Sequence, residues 1–363
     1  MSDESEHLPI RRHPARFFDV LEPGERASGE AGEVACRLCG HRCRLSEGQS
    51  GICGVRTVVG GSLTTTAYGG FVALNVDPIE KKPLFHFHPG SDCLSLATPG
   101  CNFRCRFCQN WTISQVRGEL RRLTPLSPRE AVATAAQHGC RAIAFTYSEP
   151  TIFIEYALEI AASARGAGID CVLVSNGFLT PEVLDHIGPL LGGANIDLKA
   201  FRDDTYRSLI GGRLAPVLET LRGLIRHGVW LEVTTLVIPG VNDSWRELSS
   251  IARFIAEDLG PHVPWHVSRF HSAHEMTGIG PTPLEALERA CAAGDEAGLR
   301  YVYAGNVPAH AREHTHCHAC DALLIERRGF VLRRVALRDG RCPRCDTPAA
   351  GVWPLSSAHG RGG

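Results

Sequence analysis

Three cysteines in one short loop, Cys101, Cys105 and Cys108 of TPGCNFRCRFCQNW, carry the strongest chemical signal in the chain. Iron–sulfur cubanes normally take four Cys ligands. A loop that offers three, with no fourth close by in sequence, leaves one iron without a protein ligand. An open coordination position is what a catalytic metal site keeps and a structural one lacks. The bland alternative, a structural zinc knuckle, is short of a ligand. Asn102, Phe103, Phe107 and Trp111 would give a cluster a partly apolar shell, which tunes its potential.

Two further groups flank this loop. Cys317-x2-Cys320 and Cys342-x2-Cys345 make two CxxC knuckles around a short β-type insert, the form of a zinc ribbon. Structural zinc is the first expectation, because a ~45-residue appendage has little core without a metal. A rubredoxin-like iron or an auxiliary cluster is the alternative, and His314, His316 and His318 are expected to face solvent. Cys36, Cys39, Cys43 and Cys53 are less diagnostic. Their spacing leaves zinc, the first reading, or an auxiliary iron–sulfur cluster open. Cys93, Cys140 and Cys171 border apolar runs and Cys291 falls on a helix, so these four read as core thiols.

The 363 residues contain fifteen cysteines, a formal net charge of −1, and 38 Lys+Arg against 39 Asp+Glu. That balance argues against a protein built to neutralise nucleic-acid phosphates. Clustered thiols in odd number point to metal in a reducing, cytoplasmic setting rather than to disulfides. No run reaches the ~18 apolar residues of a membrane span. The acidic-then-basic start has no apolar stretch of the secretory kind. Only Lys81, Lys82 and Lys199 are lysines, against 35 arginines. A Lys in such a chain marks a place where a compact ammonium fits and a planar fork does not, or is residual chance.

The elements that must position these groups alternate. Strand-length apolar runs are Cys93–Thr98, Ala142–Thr146, Cys171–Ser175, Ala194–Leu198, Trp230–Ile238, Trp265–Phe270 and Tyr301–Ala304. Segments of helical period between them cover Pro128–His138, Thr151–Arg165, Pro181–Leu190, Ala215–Arg226, Ser244–Leu259 and Pro283–Ala297. Ser127-Pro128, Thr180-Pro181 and Asp243-Ser244 are start signals. Gly139, Gly166, Gly228 and Gly298 are expected to end helices in the left-handed conformation. Six βα repeats and a seventh strand predict an α/β fold whose parallel sheet curls into a partial (β/α)6-type barrel. Functional groups should then gather at the C-terminal strand ends, where TYSEP, SNG, DLK and PGVND lie. The expected organisation is a mobile 1–31, a Cys-rich region 32–90, a core barrel 91–309, a ribbon-like module 310–355 and a tail 356–363.

At the cysteine loop the chain resembles the radical S-adenosylmethionine superfamily, whose hallmark is CxxxCxΦC with an aromatic before the last Cys, here Phe107. TYSEP, SNG, DLK and VIPG look like motifs of pyruvate formate-lyase-type activating enzymes. The front CxLC cluster, DPIEKKPL, CNFRCRFCQNWTISQ, HVSRFH and AGNVP resemble the AmmeMemoRadiSam-system radical SAM family over roughly residues 33–350. The resemblance implies a [4Fe-4S] cluster on Cys101, Cys105 and Cys108. S-adenosylmethionine would be cleaved there to methionine and a 5′-deoxyadenosyl radical, which takes hydrogen from an unknown substrate. The protein's tasks are then to orient the cofactor, tune the cluster and exclude water.

The resemblance assigns cofactor contacts to Glu149, Ser175, Asn176, Asp197 and Lys199. Glu149 and Pro150 keep the end of the relatives' Gly-Gly-Glu-Pro, with Tyr147 and Ser148 in place of the glycines. Val174 replaces an Asp of the activating enzymes, which argues against their monovalent-cation site here. An electron donor such as flavodoxin or ferredoxin, and Memo- and AMMECR1-type partner proteins, are implied as well. Plainer readings stand beside these. Glu149 serves as a helix-start carboxylate, Asn176-Gly177 as a turn, Asp243 as a cap, and His266 and His271 as satisfied strand histidines. The rival functions are a non-catalytic zinc-ribbon binding protein and an iron–sulfur redox sensor.

Overall fold

The computed structural model describes residues 12–22, 32–116, 123–307 and 309–353; most of the expected N-terminal segment and the tail lie outside them. One eight-stranded sheet organises the chain. Its strands are β1 (Ala73–Pro78), β2 (Asp92–Ala97), β3 (Ala142–Phe145), β4 (Asp170–Ser175), β5 (Gly193–Asp197), β6 (Trp230–Val237), β7 (Trp265–Arg269) and β8 (Val302–Gly305). β2 to β8 pair in parallel in chain order, as the seven apolar runs predict. They are apolar almost throughout because both faces are covered, and all of β3 is buried. β1 was not foreseen. It runs antiparallel to β2, Ala73 opposite Ala97 and Pro78 opposite Asp92, and its exposed Asn75 and Val76 blur the pattern.

Six crossover helices follow the strands: α1 (Pro128–Gln137), α2 (Ile154–Gly166), α3 (Pro181–Ile187), α4 (Leu214–Arg226), α5 (Trp245–Phe254) and α6 (Leu284–Glu296). Ser127 and Glu130 form a reciprocal capping box on α1. Thr180 caps α3 and Ser244 caps α5. Asp243 does not cap; its carboxylate accepts from Gly240 N at 2.9 Å in the preceding turn. Gly139, Gly228 and Gly298 take positive φ as expected, but Gly166 remains helical and Gly168 makes the left-handed turn two residues later.

Residues from the ends of six parallel strands, among them Thr146, Ser175, Asp197, Leu236, Ser268 and Asn306, line one cavity, so the sheet is curled around it. β1 and β8 are its two unjoined edges, which makes the barrel partial. The segment after β1 plugs the interior. Glu232 on β6 accepts from the backbone N–H of Phe85 (3.0 Å) and His86 (2.8 Å) and lies 2.6 Å from His266 Nε2. His266 is therefore a satisfied core histidine.

Within the Cys-rich region Arg56–Val59 pairs with Ser62–Thr65 as a hairpin, turning at Gly60-Gly61 with φ of +62° and +72°. Paired positive φ is the requirement of a type I′ turn, which glycine meets at least cost. After β8, residues 315–335 form a three-stranded antiparallel sheet. This module docks on the barrel through Arg327, which donates to Phe85 O at 2.7 Å, and through His86, 2.6 Å from Ala350 O.

Candidate active site

The loop after β2 carries Cys101, Cys105 and Cys108 into the cavity, whose volume is about 430 Å³. That lies in the ~300–1,000 Å³ range of small-molecule sites. The loop is pinned from outside: Arg104 N donates to Ile210 O (2.8 Å) and Arg106 N to Leu209 O (3.0 Å). No fourth cysteine lines the cavity among the described residues. Burial pushes the Cys105 thiol up to about 12, although the Lys199 ammonium opposes it, and burial also drives Cys101 well above the usual thiol range. Three sulfurs facing one cavity suit a metal cluster, which takes its ligands as thiolates.

Around them the cofactor-contact candidates converge, in two different ways. Glu149 is buried and fully occupied. It accepts from Thr151 N (2.9 Å), Thr151 Oγ1 (2.5 Å), Ser175 Oγ (2.7 Å) and Asn176 N (2.9 Å). It thus ties the end of β3 to the end of β4 and caps the helical turn at Pro150–Phe153. Burial raises its pKa despite these donors. Asn176 points the other way: its Nδ2 donates to Asn102 Oδ1 at 2.7 Å and sits 3.8 Å from Cys101 Sγ. Cys108 Sγ lies 3.1 Å from Ser114 Oγ. Polar hydrogens near cluster sulfurs are a lever on potential.

Asp197 ends β5 and Lys199 follows just beyond it; their side chains meet at 2.7 Å and both line the cavity. Burial opposes the ammonium, but the Asp197 carboxylate outweighs it and holds Lys199 firmly protonated. Asn242 Nδ2 donates to Lys199 O at 2.8 Å, and Lys199 N donates to the buried Tyr206 hydroxyl at 3.2 Å. Val174, Ser268 and Asn306 line the same cavity. His271 is exposed and takes part through its carbonyl, which accepts from Gln109 Nε2.

Sequence patterns missed the opposite wall. Lys81 and Lys82 each donate to Asp77 at 2.7 Å, and the Tyr147 hydroxyl also donates to Asp77. Lys82 is buried, with its ammonium 4.3 Å from the Tyr147 ring centroid. Burial opposes the charge on Asp77, but these three donors hold its pKa well below the carboxylate range. Tyr147 has φ +64°, the region where the relatives' glycine costs least. Asn110 Nδ2 clamps its carbonyl at 2.7 Å. All three lysines of the chain therefore line one cavity. The lysine scarcity was the available signal; what it lacked was a partner, because Tyr147 lies 70 positions from Asp77.

The outer cysteine groups differ. The sulfurs of Cys317, Cys320, Cys342 and Cys345 all lie within 4.8 Å of one another. Each CxxC closes alike: Asp321 N donates to Cys317 O and Asp346 N to Cys342 O, both at 2.9 Å, with Asp321 and Asp346 at positive φ. His314 and His316 are half-buried and His318 is exposed; none joins the group. Cys36, Cys39, Cys43 and Cys53 are brought together in one region but not into such a tight set. Cys93, Cys140, Cys171 and Cys291 are all buried.

The family model of the Radical SAM superfamily matches residues 95–252, which carry the cysteine loop and the strands around the cavity. The chain belongs to the radical SAM superfamily. It is an enzyme of this class, which implies a [4Fe-4S] cluster and S-adenosylmethionine, and its α/β fold is that of the superfamily. An uncharacterized protein of Methanocaldococcus jannaschii is 41% identical over 331 residues, covering 91% of this chain and 96% of that one. The pyruvate formate-lyase 1-activating enzyme of Escherichia coli K12 is 23% identical over 207 residues, 52% of this chain and 83% of that one. Among solved structures, Streptococcus suis SuiB bound to S-adenosylmethionine aligns with a TM-score of 0.48 and 12% identity, over 66% of this chain and 56% of that one. Among the described residues, no helix is long and apolar enough to cross a membrane.

Proposed function

We propose that this radical SAM enzyme removes a hydrogen atom from a substrate handled with Memo- and AMMECR1-type partner proteins, as the AmmeMemoRadiSam family resemblance suggests. The observation that carries the reading is the set of three loop cysteines facing one cavity with no fourth among its lining. Bound there, the cluster and S-adenosylmethionine would supply hydrogen-abstracting radical chemistry, given one electron from a flavodoxin- or ferredoxin-type donor.

The chain's own residues do the rest. Cys101, Cys105 and Cys108 hold the cluster. Asn176 orients toward Cys101 and tunes it. Asp197 and Lys199 present an acceptor and a donor to the cofactor's polar groups. Glu149, with all four of its hydrogen bonds spent on the chain, acts as a positioning residue for Ser175 and Asn176. The C-terminal cysteines hold zinc as a structural staple, and the free thiols suit a reducing cytoplasm.

Anaerobically reconstituted protein, given dithionite and S-adenosylmethionine, is expected to form 5′-deoxyadenosine. Cys105→Ala should abolish it. Cluster-loaded protein that forms none overturns the reading. Adding purified partner proteins and searching for a new product tests the substrate assignment separately.

A further inference from the structure

The three cysteine groups differ in how tightly they gather their sulfurs. Four thiolates on a single zinc ion sit about 3.8 Å apart, given Zn–S bonds of ~2.3 Å in a tetrahedron. The C-terminal group has that compactness: Cys317 and Cys345 sulfurs are 3.6 Å apart, as are those of Cys320 and Cys342. In an iron–sulfur cube each thiolate caps its own iron at a separate corner, so the sulfurs stand wider. The Cys101, Cys105 and Cys108 sulfurs line one cavity without forming a group as tight as the C-terminal one.

Cys36, Cys39, Cys43 and Cys53 follow the second pattern. Cys39 feels the other three, and Cys43 feels Cys36, but no three of the four make a set within 4.8 Å. Gly51 sits beside two of them: a Cβ there would lie in van der Waals contact with both, 3.7 Å from Cys53 Sγ and 3.8 Å from Cys43 Sγ.

The group is also pressed against the catalytic loop. His41, between Cys39 and Cys43, lies with Nε2 2.7 Å from Asn102 O. Arg104 donates to Ile52 O, and a Cβ on Gly100 would meet Cys53 O at 3.2 Å. Gly40 N donates to Phe178 O at 3.1 Å, two residues after Asn176. We infer that Cys36, Cys39, Cys43 and Cys53 hold a second [4Fe-4S] cluster, a one-electron carrier set against the loop that holds the first. The inference rests on the superfamily assignment of the Cys101–Cys108 loop, which supplies the standard of comparison.

The test is metal counting and electron paramagnetic resonance on the full chain, purified and reconstituted anaerobically. About eight irons and about one zinc per chain are expected, with dithionite adding one electron to each cluster and giving two signals. Only one signal should change when S-adenosylmethionine is added, because only one cluster keeps an open iron. About four irons with about two zincs overturns the inference. The variant C101A/C105A/C108A leaves the N-terminal group intact. It should retain about four irons and a reducible signal blind to S-adenosylmethionine; an iron-free variant overturns the inference too. Cys39→Ser should lose about half the iron. Should the proposed activity itself fail, about eight irons without 5′-deoxyadenosine would distinguish that failure from this one.

Discussion

The two cysteine-rich appendages flank the same barrel and solve different problems. The C-terminal module closes two matching knuckles, each with its residue at positive φ, and gathers four sulfurs into mutual contact. Its own apolar cluster is small, Leu324, Ile325 and Ala349 around two of the cysteines. There a bound metal would substitute for a core. The N-terminal group is unsymmetrical, holds its sulfurs apart, and merges into the main core, where Cys36, Leu38 and Cys39 pack with barrel residues. It leans on the catalytic loop rather than standing alone. A compact set serves its own fold; a spread set facing an active site serves a neighbour.

The largest expected effect separates the two by oxygen. Exposure to air should strip nearly all iron from the N-terminal and loop cysteines while the ribbon keeps its single ion, a contrast read by metal analysis before and after. Equal loss from all three sites would break the comparison. Charge deletion should separate them next. Arg56 and Glu155 form a buried pair that fastens the N-terminal group to α2, and Arg56→Met should cost on the order of 3–5 kcal/mol in denaturant melts. The ribbon's Arg341–Asp346 pair is exposed, so Arg341→Ala should cost about 0–1 kcal/mol.

Acid should then act on the ribbon's docking. Burial lowers the pKa of His86 to about 4, and an unfolded histidine titrates near ~6.5. Between these values the unfolded chain binds the extra proton, so stability rises with pH across the window. About 3 kcal/mol should be lost as pH falls from ~6.5 toward ~4. Hydrogen exchange should show residues around Ala350 opening early, and His86→Gln should flatten the profile; an unchanged profile would mean the dock does not depend on His86. A smaller effect than that of His86 belongs to Thr180, which caps α3 and donates to Arg37 O at 2.7 Å, joining the N-terminal group to the barrel. Thr180→Ala should cost about 1 kcal/mol.

What the sequence made legible was local. Three cysteines within eight residues, apolar runs of strand length and Ser-Pro or Thr-Pro helix starts act through near neighbours, so pattern sufficed for them. β1 escaped because an edge strand need not alternate cleanly. Asp77 with Tyr147 and Glu232 with His86 escaped because each joins residues brought together only by the curled sheet. Glu149 shows a third case. The motif places it at the site, yet only the structure shows its carboxylate spent on four donors of the chain itself.

The lysine distribution has a practical side. With arginine filling 35 of the 38 cationic positions, an amine-acylating reagent would find three side-chain targets, and all three border the same cavity. All three are paired with a carboxylate, so exposure decides: Lys81, the most exposed, should label first, and the more buried Lys199 and Lys82 more slowly. The enzyme thus carries its own footprinting probe: whatever occupies the cavity shields these amines, and peptide mass mapping of the acylated lysines would register occupancy without knowledge of the occupant.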